Sequence, residues 1–161
     1  MVHQDEAPED SPRGGDGVGP ESARSVALAV LRAVLRRQRP LDQVLEAEPA
    51  LARLESRDRA FARLLVATVL RRLGQIDAVI AACLDQPHPP KAEVQDLLRL
   101  GVAQLAFLGT PAHAAVDSTV ALAQSPASRP FRGLLNAVLR RAAREAPALI
   151  AHQDAGRLNT P

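Results

Sequence analysis

From Ser22 onward the apolar residues of this chain recur at intervals of three and four, not two, and that spacing decides what it can fold into. Ala27, Val30, Leu31 and Val34 follow the i, i+3, i+4, i+7 template of an amphipathic helix that opens near Ser22 and stops before Pro40. A shorter helix carrying Leu41, Val44 and Leu45 follows. Ser56 is placed to cap a long helix striped by Phe61, Leu64, Leu65 and Val69, with Gly74 as its natural C-terminal stop. Gln75 to Leu84 reads as another helix, ended by Pro87, Pro89 and Pro90, and residues 92–108 as the next. Thr110 before Pro111 opens a helix running through Gln124, and the last is expected from Phe131 to Glu145 with Leu134, Leu135, Val138 and Ala142 inward. The expectation is therefore an all-α fold of about seven helices. A sheet is disfavoured: there is no Trp or Tyr and only three Phe, so the core must come from Leu, Val, Ala and Ile.

Gly101 stands inside an otherwise strong helical run, where it costs about 1 kcal/mol against Ala unless a neighbouring helix packs close, and close packing is the expectation. Residues 1–21 differ from the rest. They hold four glycines, three prolines and six acids against one base, Arg13, with almost nothing apolar, and read as a disordered acidic tail. Residues 22–146 then form one domain, and 147–161 a linker. At 161 residues a second independent core is not expected. The start has no positive and apolar leader pattern, and no stretch reaches the ~18 apolar residues of a membrane span, so the chain reads as cytoplasmic.

Charge is distributed unevenly. Residues 22–161 carry 19 bases against 12 acids, and every base but Lys91 is Arg. Guanidinium matches phosphate in a bidentate fork, so a basic, arginine-rich domain points to a polyanionic partner. At 100° per residue Arg24, Arg32, Arg36 and Arg39 share about a third of the first helix's circumference, with no acid between Glu21 and Asp42 to pair with them. Arg140, Arg141 and Arg144 fall on the outer side of the last helix. These seven arginines are the candidate RNA-binding residues. Catalytic chemistry is not visible: there is no glycine-rich phosphate loop, no nucleophile elbow and no His-Glu-x-x-His. Cys83 sits in the apolar run Val79-Ile80-Ala81-Ala82-Cys83-Leu84 and reads as buried and structural, and no metal site or cofactor site emerges. His113 lies four residues before Asp117, so the two share a helix face, as a capping or packing pair without a nucleophile to serve.

Five segments resemble the NusB-like domain: Ser56-Arg57-Asp58-Arg59-Ala60-Phe61, Val69 to Asp77, Leu98 to Leu105, Thr110-Pro111-Ala112-His113-Ala114-Ala115-Val116 and Gly133 to Arg141. The Pro-x-His-Ala-Ala and Gly-Leu-Leu-Asn-x-Val-Leu-Arg strings are most similar to the version at the N-terminus of bacterial 16S ribosomal RNA cytosine-5 methyltransferases, the RsmB/Fmu/Sun family. The resemblance implies a fold of seven helices in two small bundles and RNA binding through the first helix, where Ala23-Arg24 matches the family's arginine-rich start. It also implies a following domain, absent from this chain, that binds S-adenosylmethionine and carries a cysteine nucleophile. The chain is then a substrate-binding module, with 16S rRNA as partner and its own methyltransferase domain as neighbour. A free-standing antitermination factor that binds leader RNA with a ribosomal protein is the alternative, and a helical protein-interaction domain a second one.

Overall fold

A computed structural model of the chain describes residues 20–86 and 88–158. The tail expected over residues 1–21 lies almost wholly outside the described residues, as do His3 and Pro87. Every regular element is helical: α1 (Pro20–Arg37), α2 (Leu41–Ala47), α3 (Pro49–Arg53), α4 (Ser56–Arg71), α5 (Leu73–Cys83), α6 (Ala92–Ala106), α7 (Ala112–Ala121) and α8 (Arg132–Leu158), with a 3₁₀ turn at Arg129–Phe131 before α8. The stripes read from periodicity pack with one exception: Ala27, Val30, Leu31, Leu65, Val69, Leu97, Leu98, Leu135 and Ala142 are all at most 1% exposed, but Leu64, expected on the α4 stripe, turns out to solvent. The buried ones belong to one continuous core. α6 is its central element: Leu97, Leu98, Leu100, Gly101, Val102 and Ala103 are all buried, so the helix has neighbours on nearly every side.

Eight α-helices stand among the described residues because the short second segment breaks in two. Pro49 has no N–H to continue α2, and Glu48 accepts from Ala50 N at 3.2 Å to start α3 afresh. Other expected ends move. Gly74 does not stop α4, which closes at Arg71 with Arg72 N donating to Thr68 O at 3.0 Å, and Gly74 lies in the first turn of α5 instead. Glu55 and Pro111, not Ser56 and Thr110, take the N-cap positions. Thr110 N is engaged elsewhere, on Gln104 O at 3.2 Å.

The largest departure is α8, which passes the expected end at Glu145 and runs through Pro147 to Leu158. The proline removes one intrahelical donor but sits on the exposed side, while Leu149 and Ile150 pack against the core. Gln75 Nε2 donates to Asp154 Oδ1 at 3.0 Å, and Gln153 Nε2 to Gln75 O at 3.4 Å, fastening the extension to the start of α5. Tertiary contacts on the far side of the proline thus hold a helix that local propensity would end. The Gly101 expectation holds geometrically. A Cβ added there would overlap Leu139 Cδ2 and stand 2.9 Å from Cδ1, and Leu139 is fully buried, so the missing side chain is what lets α6 and α8 cross.

Candidate nucleic-acid interface

The first-helix arginines do not form one solvated ridge. Arg24 is only 7% exposed. Its Nε donates to Gln104 Oε1 at 2.7 Å and its guanidinium lies 5.0 Å from the Phe61 ring centre. Gln104 is itself fully buried and donates through Nε2 to Leu100 O at 3.1 Å and Thr119 Oγ1 at 3.5 Å. Arg24 therefore ties α1 to α4, α6 and α7 from inside the core, where a buried cation must be stacked and hydrogen-bonded to be tolerated.

Arg32 and Arg36 are also engaged, by an acid that lies 60 residues further along the chain. Asp96 on α6 is 2% exposed. Arg36 Nη2 donates to its Oδ2 at 3.1 Å, Arg99 Nη1 donates to its Oδ1 at 3.1 Å, and Arg32 Nε stands at 3.8 Å, with Arg32 Nη2 on Glu93 O at 3.4 Å. Arg99 is in turn held by a two-pronged pair with Asp77 at 2.8 and 2.9 Å. The reading of α1 as an acid-free face is corrected here: its own sequence has no acid, but α6 supplies one. A carboxylate this deeply buried requires several cations, and it draws both arginines inward. Of the four first-helix candidates, only Arg39, in the loop after α1, is exposed with no polar partner among the described residues.

The last helix behaves differently. Arg141 is paired, its Nη1 to Asp85 Oδ1 and its Nε to Glu145 Oε2, both at 3.1 Å. Arg140 is exposed and makes one contact, from its Nε to Asn136 Oδ1 at 3.2 Å. Arg144 is exposed and has no polar partner among the described residues. Both line a groove of about 320 Å³ between α7 and α8, whose other wall carries His113 and Asp117 and whose apolar floor includes Val116 and Ala143. His113 and Asp117 do share a face, as their spacing implies, but both are exposed and no hydrogen bond joins them. Ser118 turns its hydroxyl back on its own helix, donating to Ala114 O at 2.6 Å.

Cys83 is buried, 3.9 Å from Glu145 Oε2, and burial above all, then the Glu145 charge, pushes its thiol pKa up, the reverse of what a nucleophile needs. Among the described residues no group of His, Cys, Asp and Glu is placed to hold a metal ion, and no helix is long and apolar enough to cross a membrane. Each of the three phenylalanines has a cation over its ring: Arg24 on Phe61, Arg72 on Phe107 and Lys91 on Phe131.

Sequence reasoning passed over two things. One is the pair Asp96 and Gln104, buried polar residues that decide which arginines are available. The only signal for them was their position among apolar neighbours on α6. The other is the outer face of α4, where Arg57, Arg63 and Arg71 are exposed around Leu64, a residue of the expected inward stripe that is 53% exposed.

The NusB family model matches residues 21–144, which begins where the acidic tail ends and spans α1 to about the middle of α8. The chain belongs to the NusB family. Among curated relatives, the ribosomal RNA small subunit methyltransferase B of Xanthomonas campestris pv. campestris is 39% identical over 137 residues, covering 84% of this chain and 31% of the relative. The enzymes of the same name from Pseudomonas putida and Thermus thermophilus are 38% and 40% identical, over 81% and 79% of this chain and 30% and 31% of their own lengths. The chain thus spans about a third of the length of these relatives. Solved NusB structures share the fold. Thermotoga maritima NusB superposes with a TM-score of 0.64 at 22% identity, over 78% of this chain and 90% of that one. A chain from the crystal structure of the antitermination factors NusB and NusE in complex with dsRNA gives 0.66 at 25% identity, over 77% and 95%.

Proposed function

We propose that this NusB-family chain is the RNA-holding domain of a 16S rRNA cytosine-5 methyltransferase and performs no chemistry itself. The observation that carries the reading is the match over 21–144, with relatives named as small-subunit rRNA methyltransferases at 38–40% identity against 22–25% for the NusB structures. In this reading S-adenosylmethionine and the nucleophilic cysteine belong to a domain beyond α8, and the chain supplies affinity and register through phosphate contacts, which orient a protein on RNA without reading bases. The arginines best placed for it are Arg140 and Arg144 on α8 and Arg39 beyond α1, with Arg36 contributing its exposed edge. Arg24, Arg32 and Arg141 serve mainly to hold the fold.

The test is binding of a labelled 16S rRNA fragment to the purified chain at several salt concentrations, alongside calorimetry with S-adenosylmethionine. The reading requires salt-dependent RNA binding and no heat from the cofactor. Micromolar cofactor binding, or no RNA binding at low salt, overturns it. A free-standing antitermination factor of the same fold would instead favour a leader RNA in the presence of a ribosomal protein over the 16S fragment.

A further inference from the structure

Elsewhere in this molecule three arginines close on acids that the fold brings to them from other segments. Arg99 meets Asp77 at 2.8 Å, Arg36 meets Asp96 at 3.1 Å, and Arg141 meets Asp85 at 3.1 Å. The groove between α7 and α8 is different. Asp117 lines one wall and Arg140 and Arg144 the other, yet no ion pair forms between them, and a space of about 320 Å³ is left over Val116 and Ala143. This is the small end of the range for pockets that take a small molecule.

We infer that this groove takes one unpaired guanosine of the bound RNA, a proposal that rests on the RNA-holding reading above. The chemistry of the walls selects it. Arg140 and Arg144, four residues apart and on one side of α8, offer one guanidinium fork each to the two phosphates that flank the nucleotide. Val116, 3% exposed, and Ala143 give an apolar bed for a base, with the His113 ring beside it as the stacking surface. That role would otherwise fall to an aromatic, and every phenylalanine here already has a cation on its ring. Asp117 carries two acceptor oxygens and, when ionised, no donor, so it repels phosphate and matches a base edge that presents two adjacent donors. Guanine does this through N1–H and the N2 amino group, whereas uracil has a single imino donor. An acidic protein segment would satisfy the arginines but leave Asp117 facing like charge.

The experiment compares a short uridine oligomer with the same oligomer carrying one central guanosine, by fluorescence anisotropy with the full chain. Helical circular dichroism serves as the fold control for each variant. The wild type should prefer the guanosine oligomer by about tenfold, the scale of one bidentate base contact. Asp117→Asn should abolish the preference while leaving uridine affinity equal or higher. Arg140→Ala with Arg144→Ala should weaken both oligomers by the same factor, and His113→Ala should weaken the guanosine oligomer by about tenfold. An Asp117→Asn variant that keeps the guanosine preference, or a double arginine variant with unchanged affinity, overturns the groove while the RNA-holding reading stands. Failure of the wild type to bind either oligomer or the 16S fragment overturns both.

Discussion

α1 and α8 each carry a set of arginines that look alike in sequence, and the fold puts them to opposite uses. On α1 three guanidiniums turn inward: Arg24 onto Gln104 and Phe61, Arg32 and Arg36 onto Asp96. Of the three α8 candidates Arg141 is claimed by acids, while Arg140 and Arg144 stand open beside a groove. The difference lies in the helix each one faces. α6 presents α1 with a buried carboxylate and a buried amide, and presents α8 with Gly101, a position where only backbone and Leu139 meet. The availability of the α1 arginines is thus decided by polar groups that α6 brings to them, which their own neighbourhood of sequence does not show.

The most severe way to break this contrast is to remove Asp96. Asp96→Ala leaves three guanidiniums gathered around an empty centre and should cost about 3 kcal/mol in urea unfolding, the low end for breaking a buried pair because the arginines keep some water. The freed Arg32 and Arg36 should then strengthen RNA binding at low salt. A variant as stable as the wild type would mean that the Asp96 cluster does not organise α1. Gly101→Ala tests the α8 side of the same helix. Overpacking against the fully buried Leu139 should destabilise by about 1 to 3 kcal/mol, against a helix-propensity gain of about 1 kcal/mol if space existed, and a raised melting temperature would contradict the close crossing.

A milder test compares the two arginine pairs directly by stability. Arg32→Ala with Arg36→Ala should cost about 1 kcal/mol, since both side chains are partly solvated and Arg99 still holds Asp96. Arg140→Ala with Arg144→Ala should cost nothing measurable, and equal losses would erase the distinction.

The smallest effect concerns Cys83, beneath α8. Its thiol pKa is raised by burial first and by Glu145 second, with Arg141 and Arg144 pulling the other way. Folded protein keeps the proton after the unfolded chain has released it, so this contribution is full below roughly pH 8.5 and is lost as pH rises through the folded value. Stability should therefore decline on the alkaline side more steeply in the wild type than in Cys83→Ala, and identical alkaline slopes would count against the burial argument.

Much of the fold was legible because it rests on local pattern. The stripe of α1, the run around Cys83 and the anomalous Gly101 each state their burial through spacing alone. What stayed hidden depends on residues distant in sequence. Pro147 signals an end, yet Leu149 and Ile150 find core to cover and Gln75 fastens Asp154, so α8 continues. The absence of acids from Glu21 to Asp42 is real, but Asp96 arrives from another helix. The groove was half visible: His113 with Asp117 and Arg140 with Arg144 are each a four-residue spacing, and only the crossing of α7 with α8 brings the two pairs to one cleft.

The measurement that bears most directly on the contrast is the slope of log RNA affinity against log salt for the wild type and the two double arginine variants, using one single-stranded 16S fragment. Each neutralised phosphate contributes about −0.7 to that slope. Arg140→Ala with Arg144→Ala should flatten it by about 1.4, because two phosphates then keep their counterions, while Arg32→Ala with Arg36→Ala should flatten it by no more than about 0.7, for the exposed edge of Arg36 alone. The opposite ranking, with the α1 pair removing the larger share, would contradict the account.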